Sequence, residues 1–486
     1  MSSKAAAELP PALPIKLDTT TNGEYAPTPP SPRLVAAQRA ALVAAELAAR
    51  ALGQSRREFL QSSCGAATVL LAINPLLGCS GGRYRLPKEA THERAAADSV
   101  LRGEEFILDV QTHHVAADRP WWKSERPTLA GFLRTIPQAG CGESEVLRCF
   151  DEDHFFKEVF LDSDTDMTVL SALWGTPEMN AIHADEAART RERLAKLEGA
   201  PRLLIQGLVY GKATSPAENE EQMHALRETF RVDAWKLYPV WSPDGLGYRL
   251  DDQETGLRLL ETGQRLGVPI FAIHKGLRVP GMPRAAVDAL DVGPAAKANP
   301  GAKLLIYHSG YDNQQREGAY DPSAVSGVNA LIRSVNEHGI GKQGNVYAEL
   351  GSLWREVMKD PDQAAHVLGK LLVHFGEDRI LWGTDAIWFG SPQDQIQAFR
   401  AFEITPEFQD KFGYPALTPA IKAKILGLNA ADVYGIDVAE IREAQRWDRV
   451  ARARAEYRGV PRPTQRTYGP RTRRELLAFL RHGDPA

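Results

Sequence analysis

Four short segments of the 486-residue chain carry side chains that can hold a metal or move a proton. They are Asp109-Val110-Gln111-Thr112-His113-His114, Ile273-His274-Lys275-Gly276, Tyr307-His308-Ser309-Gly310 and Trp382-Gly383-Thr384-Asp385. Imidazole nitrogens and a carboxylate oxygen are donors that suit a divalent transition metal. The same groups serve general acid and base catalysis near neutral pH. Each has an ordinary reading when taken alone. A histidine at a strand end is commonly a hydrogen-bonded structural residue, and an Asp after Gly-Thr can cap the next helix. Four such residues after four different strands point to an active site. Lys236, in Trp235-Lys236-Leu237-Tyr238, and Glu349, in Tyr347-Ala348-Glu349-Leu350, end two further strands.

Eight short apolar runs must position these groups: 106–110, 167–172, 203–209, 234–237, 268–273, 303–307, 346–350 and 380–383. Each is nearly continuous in apolar character, as strands buried on both faces are. Amphipathic helical patterns separate them at 184–197, 218–230, 254–266, 283–298, 326–338 and 364–375. Eight strand units with intervening helices predict an α/β fold, a (β/α)8 TIM barrel with long loops. A doubly wound open sheet is the alternative, but no glycine-rich phosphate loop opens a helix after any of these strands. In a barrel, catalytic groups gather at the C-terminal strand ends, where these residues fall.

Composition fits an enzyme or a binding protein. The chain is 43% apolar and 25% charged, with a net charge of −4. These values exclude a wholly disordered chain and a multi-span membrane protein, and no nucleic-acid partner is expected. Four cysteines are too few for a disulfide scaffold.

From about Phe106 to Tyr434 the sequence resembles the amidohydrolase-related metal-dependent hydrolases. That branch of the amidohydrolase superfamily includes decarboxylases of small aromatic or unsaturated acids. Its Asp-x-His-x-His motif aligns with Asp109 to His113, its fifth-strand ligand with His274 and its sixth-strand catalytic histidine with His308. Its Gly-Thr-Asp aligns with Gly383-Thr384-Asp385, and Leu428-Asn429-Ala430-Ala431-Asp432-Val433-Tyr434 resembles its closing helix. The resemblance implies that His113, His274, Asp385 and Gln111 hold a divalent metal, expected to be zinc. A bound metal lowers the pKa of its water towards about 7. Asp385 would ligate and accept that water's proton, and His308 would act as general acid. Lys236 is the third catalytic candidate. In some branches a lysine at this place is carboxylated and bridges two metals; otherwise it contacts substrate or forms an ion pair.

Gln111 departs from the family, which has a metal histidine there. An amide oxygen is neutral, hard and weakly binding. Gln111 ligates weakly through Oε1, or His114 swings in, or the site is poor in metal. Adjacent strand residues face opposite ways, which counts against His114. Glu349 is expected to pair with Lys236 or line the pocket.

Aromatic residues crowd the loops after the strands: Trp121, Trp122, Trp174, Tyr238, Trp241, Tyr311, Trp354 and Trp388. They favour a flat apolar or aromatic substrate. Lys275, Arg278 and Arg316 offer either a carboxylate site or a solvated rim.

Four regions follow. Residues 1–54 form a tail, disordered by composition over 1–33 and Ala-rich with helical spacing over 34–52. Residues 55–80 resemble a twin-arginine signal: Arg56-Arg57 precede a modestly apolar run that ends in Leu76-Leu77-Gly78-Cys79. The alternative is a basic turn before a buried helix. Export would place the protein in the periplasm, or at the envelope if Cys79 is lipidated and attached to the membrane. Cys141 and Cys149 would then suit a local disulfide. Residues 104–436 form the barrel domain. Residues 437–486 form a helical tail with twelve Arg and no Lys after Ala439, read as a solvated face with i,i+4 pairing.

Two enzymatic functions remain open. One is metal-dependent hydrolysis of a small planar or aromatic carbonyl compound through a metal-activated water; the other is non-oxidative decarboxylation of a small aromatic or unsaturated carboxylic acid. A non-catalytic envelope binding barrel is the third reading. Retention of His113, His274, His308 and Asp385 together argues against it.

Overall fold

A computed structural model describes residues 12–77, 80–119, 141, 143, 146–175, 180–197, 200–242, 244–279 and 281–481. Trp121, Trp122 and Cys79 lie outside the described residues. Eight parallel strands follow one another round a sheet in chain order. They are β1 (Leu108–Thr112), β2 (Met167–Leu170), β3 (Leu203–Val209), β4 (Ala234–Leu237), β5 (Ile270–His274), β6 (Lys303–Tyr307), β7 (Val346–Glu349) and β8 (Ile380–Leu381). The seam between β8 and β1 closes through Val110 N to Trp382 O at 3.0 Å, Asp385 N to Gln111 O at 2.8 Å, and a parallel bridge between Thr112 and Ala386. The molecule is a (β/α)8 barrel. β8 stops earlier than its apolar run because the chain turns towards Asp385, whose φ is 61°.

Leu108, Val110, Met167, Val169, Ala234, Ala272 and Leu305 fill the barrel interior. The closing helix plugs the bottom with Ala430, Ala431 and Val433. There, Asn429 Nδ2 donates to the carbonyls of Glu377 at 2.7 Å and Ile380 at 2.8 Å. That pairing ties the helix to the start of β8.

The segment before the barrel is folded onto it. Helices α1 (Pro32–Ala51), α2 (Arg56–Leu60), α3 (Ser63–Leu77) and α4 (Arg94–Leu101) precede β1. Ala37, Ala41, Ala45 and Ala49 are buried at intervals of four on α1, a ridge of small side chains that permits close packing on α3. In α3, Cys64 to Leu70, Ile73 and Leu77 are buried. Arg56 and Arg57 are exposed on α2, whose Ser55 and Glu58 form a capping box. No helix among the described residues is long and apolar enough to cross a membrane.

Residues 12–31 carry no helix or strand before α1, as their composition implies, yet they are not a free tail. Ile15, Leu17, Thr20, Thr21 and Tyr25 are buried. Lys16 pairs with Asp394 at 3.2 Å and Asp18 with Arg355 at 2.8 Å. Hydrophobic anchors and buried ion pairs hold a segment whose Pro and Thr content gives it no periodicity.

The C-terminal helices Val438–Gln445 and Arg449–Tyr457 also pack on the barrel. Arg202 and Asp448 form a buried pair at 2.6 Å, and Arg454 donates to the carbonyls of Phe160 and Thr165 at 2.6 Å each. Part of the tail's charge is therefore structural. Cys141 and Cys149 form the expected disulfide, with 5.8 Å between their Cα atoms.

Substituting Ala41→Leu on α1 is expected to overpack the contact with α3 and to destabilise the full-length protein by about 1–3 kcal/mol. Chemical denaturation measures it. A variant as stable as wild type would show that the helices 32–77 do not share the barrel's cooperative core.

Candidate active site

The predicted residues converge where the strands end. β1 delivers Gln111, with His113 just beyond it, β4 Lys236 and β5 His274; His308 follows β6 and Asp385 follows β8. Each is at most 1% exposed. His308, Ser309, Ser352 and Asp385 all have φ between 50° and 62°, a left-handed conformation that is costly for residues with a side chain. Four such residues on three adjoining strand ends mark backbone bent to aim side chains inward.

Asp385 sits at the centre. Its Oδ1 is 3.0 Å from His113 Nε2 and accepts from Gln111 Nε2 at 3.3 Å. Its Oδ2 accepts from Ser352 Oγ at 2.5 Å and Asn22 Nδ2 at 2.8 Å. Burial alone would raise its pKa, but His113 above all, with His308 and Ser352, holds it down at about 2. A carboxylate so stabilised keeps its negative charge at neutral pH.

His113 Nδ1 donates to the carbonyl of Ser171 at 3.0 Å. Its Nε2 therefore needs either a second proton or a cation between it and Asp385. Neither ring nitrogen of His274 has a hydrogen-bond partner, and Nε2 of His308 and Oε1 of Gln111 also have none. Leaving buried polar atoms unpaired costs about 1–3 kcal/mol each. Burial first, and then Lys236, lowers the His274 pKa to about 3; burial and His274 do the same for His308. Neutral imidazoles with free lone pairs are what a divalent metal requires. The donor set fits a metal.

His308 Nδ1 donates to Gly351 O at 2.7 Å, which fixes the tautomer and leaves Nε2 as a proton acceptor. The backbone N–H of His308 donates to Glu349 at 2.9 Å. Glu349 also accepts from Gly351 N at 2.5 Å, and burial pushes its pKa up to about 8. It shapes the loop that holds His308 instead of pairing with Lys236.

Lys236 Nζ has no hydrogen-bond partner and lies 3.8 Å from the centre of the Tyr307 ring and 4.7 Å from that of Tyr238. Burial lowers its pKa to about 8 against the pull of Glu24, Asp385 and Glu349. By contrast, Lys275 is bound to Asp291 at 2.7 Å, Arg278 to Asp312 at 3.1 Å and Arg316 to Asp360 at 2.9 Å. None of those three is a carboxylate receptor.

His114 points away from the site. Its Nε2 is 3.0 Å from Thr190 Oγ1, so it does not substitute for Gln111. Trp354 is buried against Phe399 and Phe402, and its Nε1 donates to Gln395 O. Tyr238 stacks on His274 with ring centres 5.3 Å apart, and Trp174 stacks on Trp241 at 4.6 Å.

Sequence reading missed Asn22 and Glu24, which come from residues 12–31. Glu24 Oε1 accepts from Tyr238 Oη at 3.2 Å, and its Oε2 lies 3.9 Å from His274 Nδ1. No spacing or periodicity marks either residue. Ser352 was also missed, although its place three residues beyond β7 is a signal of the kind that identified Asp385.

The amidohydrolase family matches residues 168–436, more than half of the chain. The chain belongs to the amidohydrolase family. It is accordingly an enzyme of the amidohydrolase type. No curated protein matches the chain. Among solved structures, it is similar to an uncharacterized TIM-barrel protein from Bordetella bronchiseptica, at 14% identity over 68% of this chain and 98% of that one, with a TM-score of 0.44. A 2,6-dihydroxybenzoate decarboxylase matches at 11% identity over 68% and 98%, with a TM-score of 0.42. A manganese-bound dihydroxybenzoic acid decarboxylase from Polaromonas sp. JS666 matches at 13% identity over 69% and 99%, with a TM-score of 0.39.

Asp109 clasps β1 to the turn after β8. It accepts the N–H groups of Gln111 at 3.0 Å and Thr384 at 3.1 Å and pairs with the Thr384 hydroxyl. Burial raises its pKa from 3.8 to about 7, so the folded protein holds this proton where the unfolded chain releases it. Stability from this group is full below about pH 4 and is lost as pH rises through about 7. Asp109→Asn, which keeps the shape, should remove that fall, at most about 4 kcal/mol. Urea unfolding of both proteins at pH 4.5 and 7.5 measures it; an unchanged fall in the variant would refute the assignment.

Proposed function

We propose that this amidohydrolase is a metal-dependent hydrolase of a small planar or aromatic carbonyl compound. The observation that carries the reading is the convergence of unpartnered buried nitrogens, from His274 and His308, beside the ionised Asp385. His113, His274 and Asp385 would hold the metal, with Gln111 Oε1 a weak addition; zinc or manganese suits this mixed set. A divalent metal there would supply Lewis acidity towards a carbonyl oxygen and a water.

The remaining chemistry belongs to side chains. His308 Nε2 takes a proton from the attacking water and returns it to the leaving group. Its neutral state and fixed tautomer suit that order. Asp385 orients His113 and supplies constant negative charge. Tyr238, Trp174 and Trp241 group with Ala172 and Leu208 in an apolar cluster that suits a flat substrate.

Lys236 favours decarboxylation as a second reading. An unpaired buried ammonium beside the site can receive a substrate carboxylate. Metal-loaded enzyme offered esters, lactones, amides and aromatic acids separates the two reactions, because only decarboxylation releases CO2. Under the decarboxylase reading, Lys236→Met should raise KM for the acid about tenfold or more with metal content unchanged. An unaltered KM would remove Lys236 from substrate binding.

Metal content and rate also divide the histidines. His274→Ala should lose metal and activity together. His308→Ala should keep the metal while kcat falls roughly 10²–10⁴-fold. Gln111→His should tighten metal binding by restoring an imidazole. Metal analysis of the folded variants decides, and a wild type that takes up no stoichiometric metal would refute metal-dependent hydrolysis.

A further inference from the structure

We propose that the N-terminal segment 12–31 completes the metal centre, with Glu24 donating the carboxylate that partners His274. This rests on the metal-dependent reading above. One donor atom from each of Glu24, His274 and His308 lies within 4.8 Å of the others, so His308 borders the place where Glu24 and His274 would share an ion; His113 and Asp385 are not in that group. Glu24 Oε2 is 3.9 Å from His274 Nδ1. That separation is too long for a hydrogen bond. Two atoms each about 2.0–2.2 Å from one tetrahedral ion lie roughly 3.3–3.6 Å apart, so a shift of a few tenths of an ångström brings this pair onto a shared cation. Neither nitrogen of His274 has a hydrogen-bond partner of good geometry although the ring is 1% exposed, and the Leu277 backbone bears on it only weakly.

The neighbours of Glu24 hold its carboxylate in place. Tyr238 Oη donates to Oε1 at 3.2 Å and Asn22 Nδ2 to Oε2 at 2.9 Å. The same Asn22 amide donates to Asp385 Oδ2 at 2.8 Å, so it spans the two carboxylates and sets their separation. Two carboxylates brought together around unprotonated imidazoles carry more negative charge than the single ammonium of Lys236 offsets. Gln111 occupies the place where the family resemblance calls for an imidazole ligand, and Glu24 supplies a charged donor to a centre short of one.

The segment is built to stay. Lys16 and Asp394 form an ion pair with both side chains 4% exposed, and Asp18 meets Arg355, whose side chain is 1% exposed. Thr21 N donates to Pro470 O at 3.0 Å, and Ala26 N to Arg278 O at 3.3 Å. A displaceable plug mimicking a substrate carboxylate would not need such fastening at both ends. A chain cut at Cys79 would lack Glu24, so the proposal requires residues 12–31 to stay with the barrel.

The test uses full-length protein stripped of metal and titrated with Zn2+ against a chromogenic chelator. Wild type should bind one ion tightly. Glu24→Gln should bind roughly 100-fold more weakly, since even groups that only hydrogen-bond to ligands are worth roughly 10–100-fold. Glu24→Asp, which keeps the charge on a shorter arm, should fall between them. Melting curves of the apo proteins establish that all are folded. If Glu24→Gln binds Zn2+ as wild type does, the proposal fails while the metal-dependent reading stands. Wild-type affinity in Glu24→Gln together with faster turnover would identify the segment as a plug. If wild type binds no Zn2+, both readings fall.

Discussion

Burying a carboxylate costs several kcal/mol unless its lone pairs are satisfied, and the architecture of this site follows from how Asp385 is satisfied. Its contacts come from three parts of the chain: Gln111 and His113 from β1 and its end, Ser352 from beyond β7, and Asn22 from the N-terminal segment. Losing one of them would leave a buried charge short of a partner. The seam of the barrel, the loop after β7 and the cover of the mouth are therefore interdependent. The left-handed backbone at Ser352 and Asp385 is the local cost of making both ends of that contact meet.

Neutral histidines complement this fixed charge. Burial keeps His274 and His308 unprotonated, while Asp385 stays ionised. The two kinds of group are driven in opposite directions by one environment. A negative charge beside free lone pairs is an arrangement that a cation resolves, and Lys236, held between two tyrosine rings, acts on Asp385 through its charge without a hydrogen bond to it. The metal reading thus comes from unmet electrostatic demand as well as from residue types.

The barrel was legible because strands buried on both faces read as continuous apolar runs, and 203–209, 234–237 and 303–307 coincide with β3, β4 and β6. His274, His308 and Asp385 were legible because barrel chemistry collects at strand ends. Residues 12–31 were not legible beyond their irregularity. An extended segment pinned by single residues, such as Ile15, Lys16, Asp18 and Tyr25, has neither a helical nor a strand period. Its Pro and Thr content matches that of a free tail. The roles of Lys275 and Arg278 were equally hidden, since their partners Asp291 and Asp312 lie 16 and 34 residues away.

The helices before β1 acquire a reason from the same geometry. Residues 12–31 lie over the C-terminal ends of the strands, whereas β1 begins at the opposite end of the barrel. The chain must travel from mouth to base between the two. α1, with 20 residues, spans roughly 30 Å, while a five-residue strand such as β1 covers about 17 Å. α1 is thus long enough for the descent, and α3 packs on both α1 and α4 on the way to β1. On this view the apolar run after Arg56-Arg57 is needed as a packing surface whatever else it does. Its Ala-rich partner α1, with small side chains buried at every fourth position, is what lets it pack closely.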